Sequence, residues 1–204
     1  MPKYVLHYFG INGRAVVPRA ILTYAKADWT DDRVKNEDWP KLKKSGLCEF
    51  EQLPVLEVDG KKYCESNAIN LYLAETFKLM GKNTEENYQI YNLLMTFDDF
   101  MGPIFGYMFC ADESKKADLK NKALEKYKFF LEKLDKRYVD LGKGKYFLGD
   151  HFSMADIYLG SAIPAACGCF DECPAKTSAP HLLELIGRLK ENELKEFFEK
   201  YFMK

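Results

Sequence analysis

The chain has little of what marks several large classes of protein. Its 30 basic and 31 acidic residues leave a formal net charge of -1, so it lacks the basic surplus with which nucleic-acid-binding domains hold phosphates. No apolar run approaches the ~18 residues that span a bilayer, and no charged-then-apolar leader stands at its start. We therefore expect a cytoplasmic protein that binds neither nucleic acid nor membranes.

Paired cysteine motifs are also missing. The chain has six cysteines but no C-x-x-C pair. Three cysteines, Cys167, Cys169 and Cys173, lie close enough together to suggest a metal site. They lack the usual spacing of metal ligands and a nearby histidine, however. We expect them to be small buried residues of an apolar helix, with reduced thiols and no bound metal.

Strand and helix patterns alternate over the first part of the chain, which is typical of a small α/β unit with parallel crossover strands. Asp59-Gly60 predicts a hairpin turn because both residues tolerate positive φ. Pro18 is compatible with a helix only in its first turn. The predicted elements are a strand at Tyr4–Phe9, a helix at Arg14–Ala27, a strand at Trp29–Val34, an irregular segment at Lys35–Glu51, the hairpin, and a helix at Asn67–Phe77 with Ser66 as its N-cap.

Strand patterns nearly vanish after a linker at Lys78–Thr84, and the remainder is predicted to be helical. Pro103 is expected to kink or interrupt the first of these helices. Ser153-x-x-Asp156 matches a capping box ahead of a largely apolar helix. The predicted fold class is α/β + all-α, with domains at 1–78 and 84–204.

The stretch from Gln52 to Ser66 is the strongest candidate for a ligand-binding edge. Pro54 stands at the first position of a strand, where a missing N–H costs no ladder bond. If the Leu53–Pro54 peptide is cis, the backbone of Leu53 is presented to a ligand as a short extra strand. The helix that opens at Ser66 offers N–H groups to a carboxylate. The pattern therefore predicts a peptide-like ligand.

Five short motifs together resemble the cytosolic glutathione transferases: Tyr8-Phe9, Gly13-Arg14-Ala15, Gln52-Leu53-Pro54, Glu65-Ser66 and Ser153-x-x-Asp156. Met1-Pro2-Lys3-Tyr4, Trp39-Pro40-x-x-Lys43, Leu56-Glu57-Val58-Asp59-Gly60 and Asp98-Asp99-Phe100-Met101 further resemble the sigma class, which includes the glutathione-dependent prostaglandin D synthases. The resemblance implies an N-terminal thioredoxin-like domain that binds glutathione. An all-helical C-terminal domain would contribute the electrophile pocket.

The same resemblance implies roles for individual residues. Tyr8 would stabilise the glutathione thiolate, and Arg14 would neutralise that thiolate or a nearby carboxylate. The residues implied to bind glutathione are Tyr8, Trp39, Lys43, Gln52, Leu53, Pro54, Glu65, Ser66 and Asp99. The electrophile pocket is implied to include Phe9, Gly13, Met101 and Phe105.

Two departures from the sigma class qualify the resemblance. Glu65 stands where these relatives usually carry glutamine. Asp98 and Asp99 match two of the three aspartates that bind a metal in vertebrate prostaglandin D synthases, but Met95 occupies the third position, so no metal is expected. Asp99 matches a residue that reaches the ligand of the neighbouring subunit, which implies a homodimer.

The leading hypothesis is a transferase that joins the glutathione thiolate to small apolar electrophiles, with peroxidase activity as an additional reaction. Alternatives are a glutathione-dependent prostaglandin isomerase and a non-catalytic, crystallin-like binding or structural protein. Considered alone, Tyr8 could be a core aromatic residue and Arg14 a solvated or structural arginine. Glutaredoxin-like exchange is disfavoured because no C-x-x-C motif is present.

Overall fold

The computed structural model describes residues 2–203 and confirms the predicted α/β + all-α fold class. The chain packs into two compact units, one running to Leu79 and including the segment from Glu193 onward, the other Met80–Asn192. The division into domains at 1–78 and 84–204 stays a prediction, and the packing groups the last segment with the first unit. Within residues 2–203, no helix is both long and apolar enough to cross a membrane.

The elements follow one another in a simple order. They are β1 (Tyr4–Phe9), α1 (Val16–Tyr24), β2 (Trp29–Val34), α2 (Trp39–Lys43), β3 (Val55–Val58), β4 (Lys61–Tyr63), α3 (Ser66–Thr76), α4 (Thr84–Met108), α5 (Glu113–Asp140), α6 (Met154–Cys167), α7 (Ala175–Ser178), α8 (Pro180–Glu191) and α9 (Lys195–Tyr201). A single 3₁₀ turn at Gly13–Ala15 precedes α1.

The sheet of the first unit is mixed, with strand order β2-β1-β3-β4. Strand β1 runs parallel to β2 and antiparallel to β3. Burial alternates along β1, so Tyr4, Leu6 and Tyr8 lie on its buried face, as period-2 side-chain geometry requires. Helix α1 packs against α3 and α9. This thioredoxin-like arrangement places the end of β1 and the start of α3 in the same unit.

Two local predictions in the first unit are wrong. The polar segment predicted to be irregular contains the short helix α2, which begins at Trp39 with Pro40 in its first turn. Pro40 is compatible with that position because the N–H groups of a first turn have no partner inside the helix. Ser66 is the first residue of α3 and not its N-cap, because the carbonyl of Glu65 accepts the first helical bond, from the N–H of Ile69.

The second unit is helical, and its core is rich in aromatic rings. Phe97 on α4 makes edge contacts with Tyr127 and Phe130 on α5 and with Tyr158 on α6. Such contacts favour a single packing arrangement, because ring edges and faces carry opposite partial charge. Helix α4 is not interrupted at Pro103, because it continues to Met108; the alternative expectation, a kink at this position, stays a prediction. Proline has no N–H to donate to the carbonyl four residues earlier, so the helix lacks that one bond at position 103.

The prediction of reduced thiols is wrong for two of the three clustered cysteines. Cys167, the last residue of α6, forms a disulfide with Cys173, and their Cα atoms are 4.5 Å apart. Cys48, Cys64, Cys110 and Cys169 are free. The chain turns after α6, and the turn brings two residues together that could not meet along one straight helix.

The predicted capping box at the start of α6 is present. The fully buried carboxylate of Asp156 accepts hydrogen bonds from the backbone N–H of Phe147 (2.7 Å), the backbone N–H of Ser153 (2.9 Å) and the Ser153 hydroxyl (3.0 Å). It therefore fixes both the helix start and the preceding loop. Burial raises the pKa of this carboxyl from 3.8 to about 6, against the opposing effect of the hydrogen bonds that it accepts.

We expect Asp156 to stabilise the fold less as the pH rises through about 6. Its pKa is raised in the folded state, so its favourable contribution is complete below pH 3.8 and is lost above about 6. The difference between these two pKa values corresponds to about 3 kcal/mol in the free energy of unfolding. Urea unfolding of wild type and Asp156→Asn at several pH values measures this contribution, because the variant does not titrate at this site. A stability difference that is constant with pH would contradict the prediction.

Candidate functional site

Tyr8 lies at the centre of the candidate site in the first unit. It is 7% exposed, and its hydroxyl oxygen accepts a hydrogen bond of 3.1 Å from the backbone N–H of Arg14. A phenol that accepts a bond in this way keeps its own proton to donate to another group. Tyr8 therefore faces the core, as a structural residue would, while its polar end meets the loop after β1.

Gly13 makes this close approach between phenol and loop feasible. Its φ is +37°, and a Cβ added there would lie 2.5 Å from the Tyr8 hydroxyl oxygen. Any side chain at position 13 would therefore displace either the loop or the phenol. The Gly-Arg pair predicted from the sequence works as a unit, because the glycine makes room and the next residue supplies the N–H.

Arg14 connects this loop to the start of α3. Its Nη1 atom donates to the Oγ atom of Ser66 over 3.4 Å, and Ser66 is 8% exposed. Glu65, just before it, has φ +68° and an exposed side chain. The N-terminus of α3 carries the positive end of the helix dipole. Tyr8, Arg14 and Ser66 thus form one connected polar chain that ends where an anion is favoured.

A small apolar cluster supports the other side of the site. Trp39 and Leu53 pack against the buried residues Leu47, Cys48 and Val55. The Trp39 ring also makes an edge contact with Phe9, with centroids 5.6 Å apart. The Leu53–Pro54 peptide is cis.

The charged and amide side chains near this cluster face solvent. Lys43 on α2 lies 3.8 Å from the Glu51 carboxylate, and both side chains are substantially exposed. Gln52 is exposed as well. An exposed pair at this distance is weak, with a median contribution of about 0–1 kcal/mol, so the Lys43 ammonium can exchange its partner for another carboxylate.

The remaining predicted residues lie in the second unit. Asp99, Met101 and Phe105 are all on α4, with Asp99 exposed and the other two partly buried. Phe9 and Gly13 belong to the first unit. Among residues 2–203, no group of three or more histidine, cysteine or acidic side chains is arranged to hold a metal ion.

Sequence reasoning missed Arg19, the largest side chain among those buried below 2% exposure. Its guanidinium donates to the carbonyl of Phe9 (3.2 Å), the carbonyl of Ile11 (2.6 Å) and the carboxylate of Asp31 (3.0 Å). It also lies 5.9 Å from the Tyr8 ring centroid. A single buried cation therefore fixes the loop that carries Gly13 and Arg14. The signal in the sequence was an arginine inside the mostly apolar segment of α1.

Helix α9 contacts the Arg19 guanidinium as well. The Tyr201 ring lies 5.7 Å from the Arg19 guanidinium, and its hydroxyl donates to Asp31 over 3.5 Å. Burial, followed by the charge of Asp31, raises the pKa of Tyr201, so this hydroxyl stays protonated.

Arg19→Met should lower the free energy of unfolding by about 3–5 kcal/mol, because it leaves a carboxylate and two carbonyls without their buried partner. Arg33→Met is the matched control, since Arg33 binds the same Asp31 from a side chain that is 41% exposed. That control should lose less than about 1 kcal/mol. Arg19→Lys, which keeps the charge without the planar fork, should fall between them. Equal small losses in urea unfolding for all three variants would contradict the assignment.

Comparisons with known proteins agree with this geometry. Residues 4–75 match the glutathione S-transferase N-terminal domain, and residues 98–201 match the C-terminal domain of the same family. A protein named probable glutathione S-transferase 5 from Caenorhabditis elegans is 32% identical over 200 residues, which is 93% of this chain and 95% of the relative. Hematopoietic prostaglandin D synthase of Rattus norvegicus is 34% identical over 158 residues, covering 78% of this chain and 76% of the relative.

A solved structure of prostaglandin synthase D from Nilaparvata lugens superposes with a TM-score of 0.86 at 30% identity, covering 98% of each chain. The two domain matches together cover most of the sequence, and the polar chain from Tyr8 to Ser66 occurs inside the first of them. The chain is a transferase enzyme and belongs to the glutathione S-transferase family.

Proposed function

We propose that Tyr8 activates the thiol of glutathione, the co-substrate of this family, for attack on small apolar electrophiles. The observation that carries the proposal is the 3.1 Å bond from the Arg14 N–H to the Tyr8 oxygen, which holds the phenol in place while leaving its proton to donate. A thiol of this type has a pKa of about 8.5. A hydrogen bond to its sulfur favours the thiolate, which is the nucleophile.

The charged ends of glutathione match different parts of the first unit. The α-carboxylate of the γ-glutamyl group would bind at Ser66 and the N-terminus of α3, with Arg14 adding positive charge. Glu65, exposed beside it, would take the ammonium group. The dipole, the arginine and the glutamate together recognise a group that carries both charges.

The rest of the tripeptide would lie toward α2. The backbone of Leu53 before the cis peptide would pair with the cysteinyl residue, with Gln52 and Pro54 flanking it. The indole of Trp39 and the ammonium of Lys43 would bind the glycyl carboxylate, with Lys43 leaving its weak contact to Glu51.

Tyr8→Phe should lower kcat/KM for conjugation by about 10- to 100-fold, because the sulfur loses its hydrogen-bond donor. The fall should be largest near neutral pH, and the rate should recover as the pH approaches the ordinary thiol pKa of about 8.5. Initial rates with a chromogenic aryl halide over a range of pH measure both effects.

Tyr4→Phe is the matched control, since Tyr4 is buried on the same face of β1 and is 3% exposed. It should keep the wild-type rate and pH profile. If Tyr8→Phe bound glutathione and showed the same rate and pH profile as this control, the proposed role of Tyr8 would be wrong.

A homodimer would complete the site. Tyr88, Tyr91 and Met95 are 55%, 41% and 52% exposed, and their spacing places them on one face of α4. Asp99 follows Met95 by four residues and lies on that face. An exposed apolar face of this kind is typical of an interaction surface. This surface supports the proposal that Asp99 contacts the glutathione bound to a second copy of the chain.

Asp99→Asn should weaken glutathione binding about 5- to 20-fold, the loss expected when a charge-assisted hydrogen bond becomes a neutral one. Glu85→Gln is the control, because it removes an acid near the start of the same helix, roughly 21 Å away along its axis. Calorimetry measures the affinity, and sedimentation should give the mass of a dimer for both variants. Unchanged affinity, or a wild-type monomer that binds glutathione fully, would contradict this role.

The electrophile would be held by Phe9, Gly13, Met101 and Phe105, which offer apolar surface. We infer a cytoplasmic enzyme of the sigma class that serves in detoxification.

Relatives named prostaglandin D synthase favour a second candidate, isomerisation of a prostaglandin endoperoxide. The two reactions differ in stoichiometry, because an isomerase regenerates glutathione and a conjugating enzyme consumes it. Measuring glutathione consumption with an endoperoxide substrate distinguishes them.

A further inference from the structure

The second unit contains a covalent feature that glutathione transfer does not use. Cys167 ends α6, Cys173 lies six residues later, and the two are joined in a disulfide. Cys169 stands between them as a free thiol. The closed loop therefore holds three sulfur atoms, of which only the outer two are bonded.

Contacts other than the disulfide hold this loop against its neighbours. The ring of Phe170 lies 5.7 Å from that of Tyr107 on α4 and 6.0 Å from that of Tyr127 on α5. Tyr107 donates its hydroxyl proton to the carbonyl of Cys169. Lys120 binds the Asp171 carboxylate over 2.7 Å. These contacts do not depend on the sulfur–sulfur bond, so both thiols remain near each other when the bond is reduced.

Exposure and chemistry distinguish the three sulfur atoms. Cys167 is 6% exposed, whereas Cys173 is only partly buried and so is the more accessible of the bonded pair. Burial raises the pKa of the Cys169 thiol, which keeps it protonated and weakly nucleophilic. Its Sγ atom also lies 3.6 Å from the Ala165 carbonyl, directed back toward α6. The accessible member, Cys173, is therefore the residue that a reagent in solution meets first.

We propose that Cys167 and Cys173 form a reversible redox site that exchanges with small-molecule disulfides, oxidised glutathione in particular. The Cys173 thiolate attacks one sulfur of oxidised glutathione, whose own disulfide breaks and releases one molecule of glutathione. The Cys167 thiolate then attacks the Cys173 sulfur and displaces the second molecule. The protein thiols lose two electrons and two protons, and oxidised glutathione gains both.

The oxidation state sets how firmly the loop is held. In the oxidised protein, residues 168–172 are closed covalently at both ends while Cys169 and Phe170 contact Tyr107. In the reduced protein, only the ring contacts, the Tyr107 hydrogen bond and the Lys120 ion pair remain. Because closing a short loop restricts the unfolded chain, the oxidised protein should melt about 4–8 °C higher. The proposal is independent of the roles assigned to Tyr8 and Asp99.

The test uses the full chain equilibrated without oxygen in buffers of increasing ratio of oxidised to reduced glutathione. After acid quenching, free thiols are alkylated with N-ethylmaleimide and mapped by mass spectrometry. We expect Cys167 and Cys173 to pass together from alkylated to linked as the ratio rises, while Cys169 stays alkylated. A transient adduct of glutathione on Cys173 should precede the link.

Three outcomes would overturn the proposal: no link at any ratio, a link that excess reduced glutathione cannot open in the folded protein, or a link that includes Cys169. Cys173→Ser tests the same point independently, because it should melt at one temperature in both buffers. Cys169→Ser, the matched control, should keep the difference in melting temperature shown by wild type. If the oxidised and reduced wild-type proteins had the same melting temperature, the proposed stabilisation of the loop by the disulfide would be wrong.

Discussion

The buried guanidinium of Arg19 is the interaction on which the site in the first unit depends. It is 1% exposed and binds strand β2 through Asp31 and the loop after β1 through two carbonyls. Burying an ion costs several kcal/mol unless its hydrogen bonds are satisfied. These bonds therefore determine the path of the loop, and the path brings the Arg14 N–H to the Tyr8 hydroxyl.

The chemistry of the site follows from that path. Gly13 allows the backbone to approach the phenol, and Arg14 extends from the same loop to Ser66 at the start of α3. A proton donor, a cation and a helix N-terminus are thus held in one chain of contacts. Groups held in advance toward a forming anion stabilise it without reorganising, and this is the physical basis of the role proposed for Tyr8.

Helix α6 has a comparable position in the second unit, because it is fixed at both ends. Its start is held by the Asp156 carboxylate, which bonds Ser153 and the loop at Phe147. Its end is tied to the following loop by the disulfide from Cys167. The charge of the Asp156 carboxyl depends on pH, and the proposed redox site depends on the ratio of oxidised to reduced thiols in solution. Helix α6 therefore carries one group of each kind, one near its start and one at its end.

Much of this protein was determined by local sequence pattern. Period-2 and helical spacing identified most of the strands and helices, and the Ser153 box predicted the start of α6, because each depends on residues close together in the chain. The Tyr8, Arg14 and Ser66 motifs identified the family and the candidate residues. Helix α2 escaped prediction because a short polar helix has no apolar period. The burial of Arg19, its bond to Asp31 and the joining of Cys167 to Cys173 were decided by tertiary structure alone, since each requires the chain to turn back and bring separate segments together.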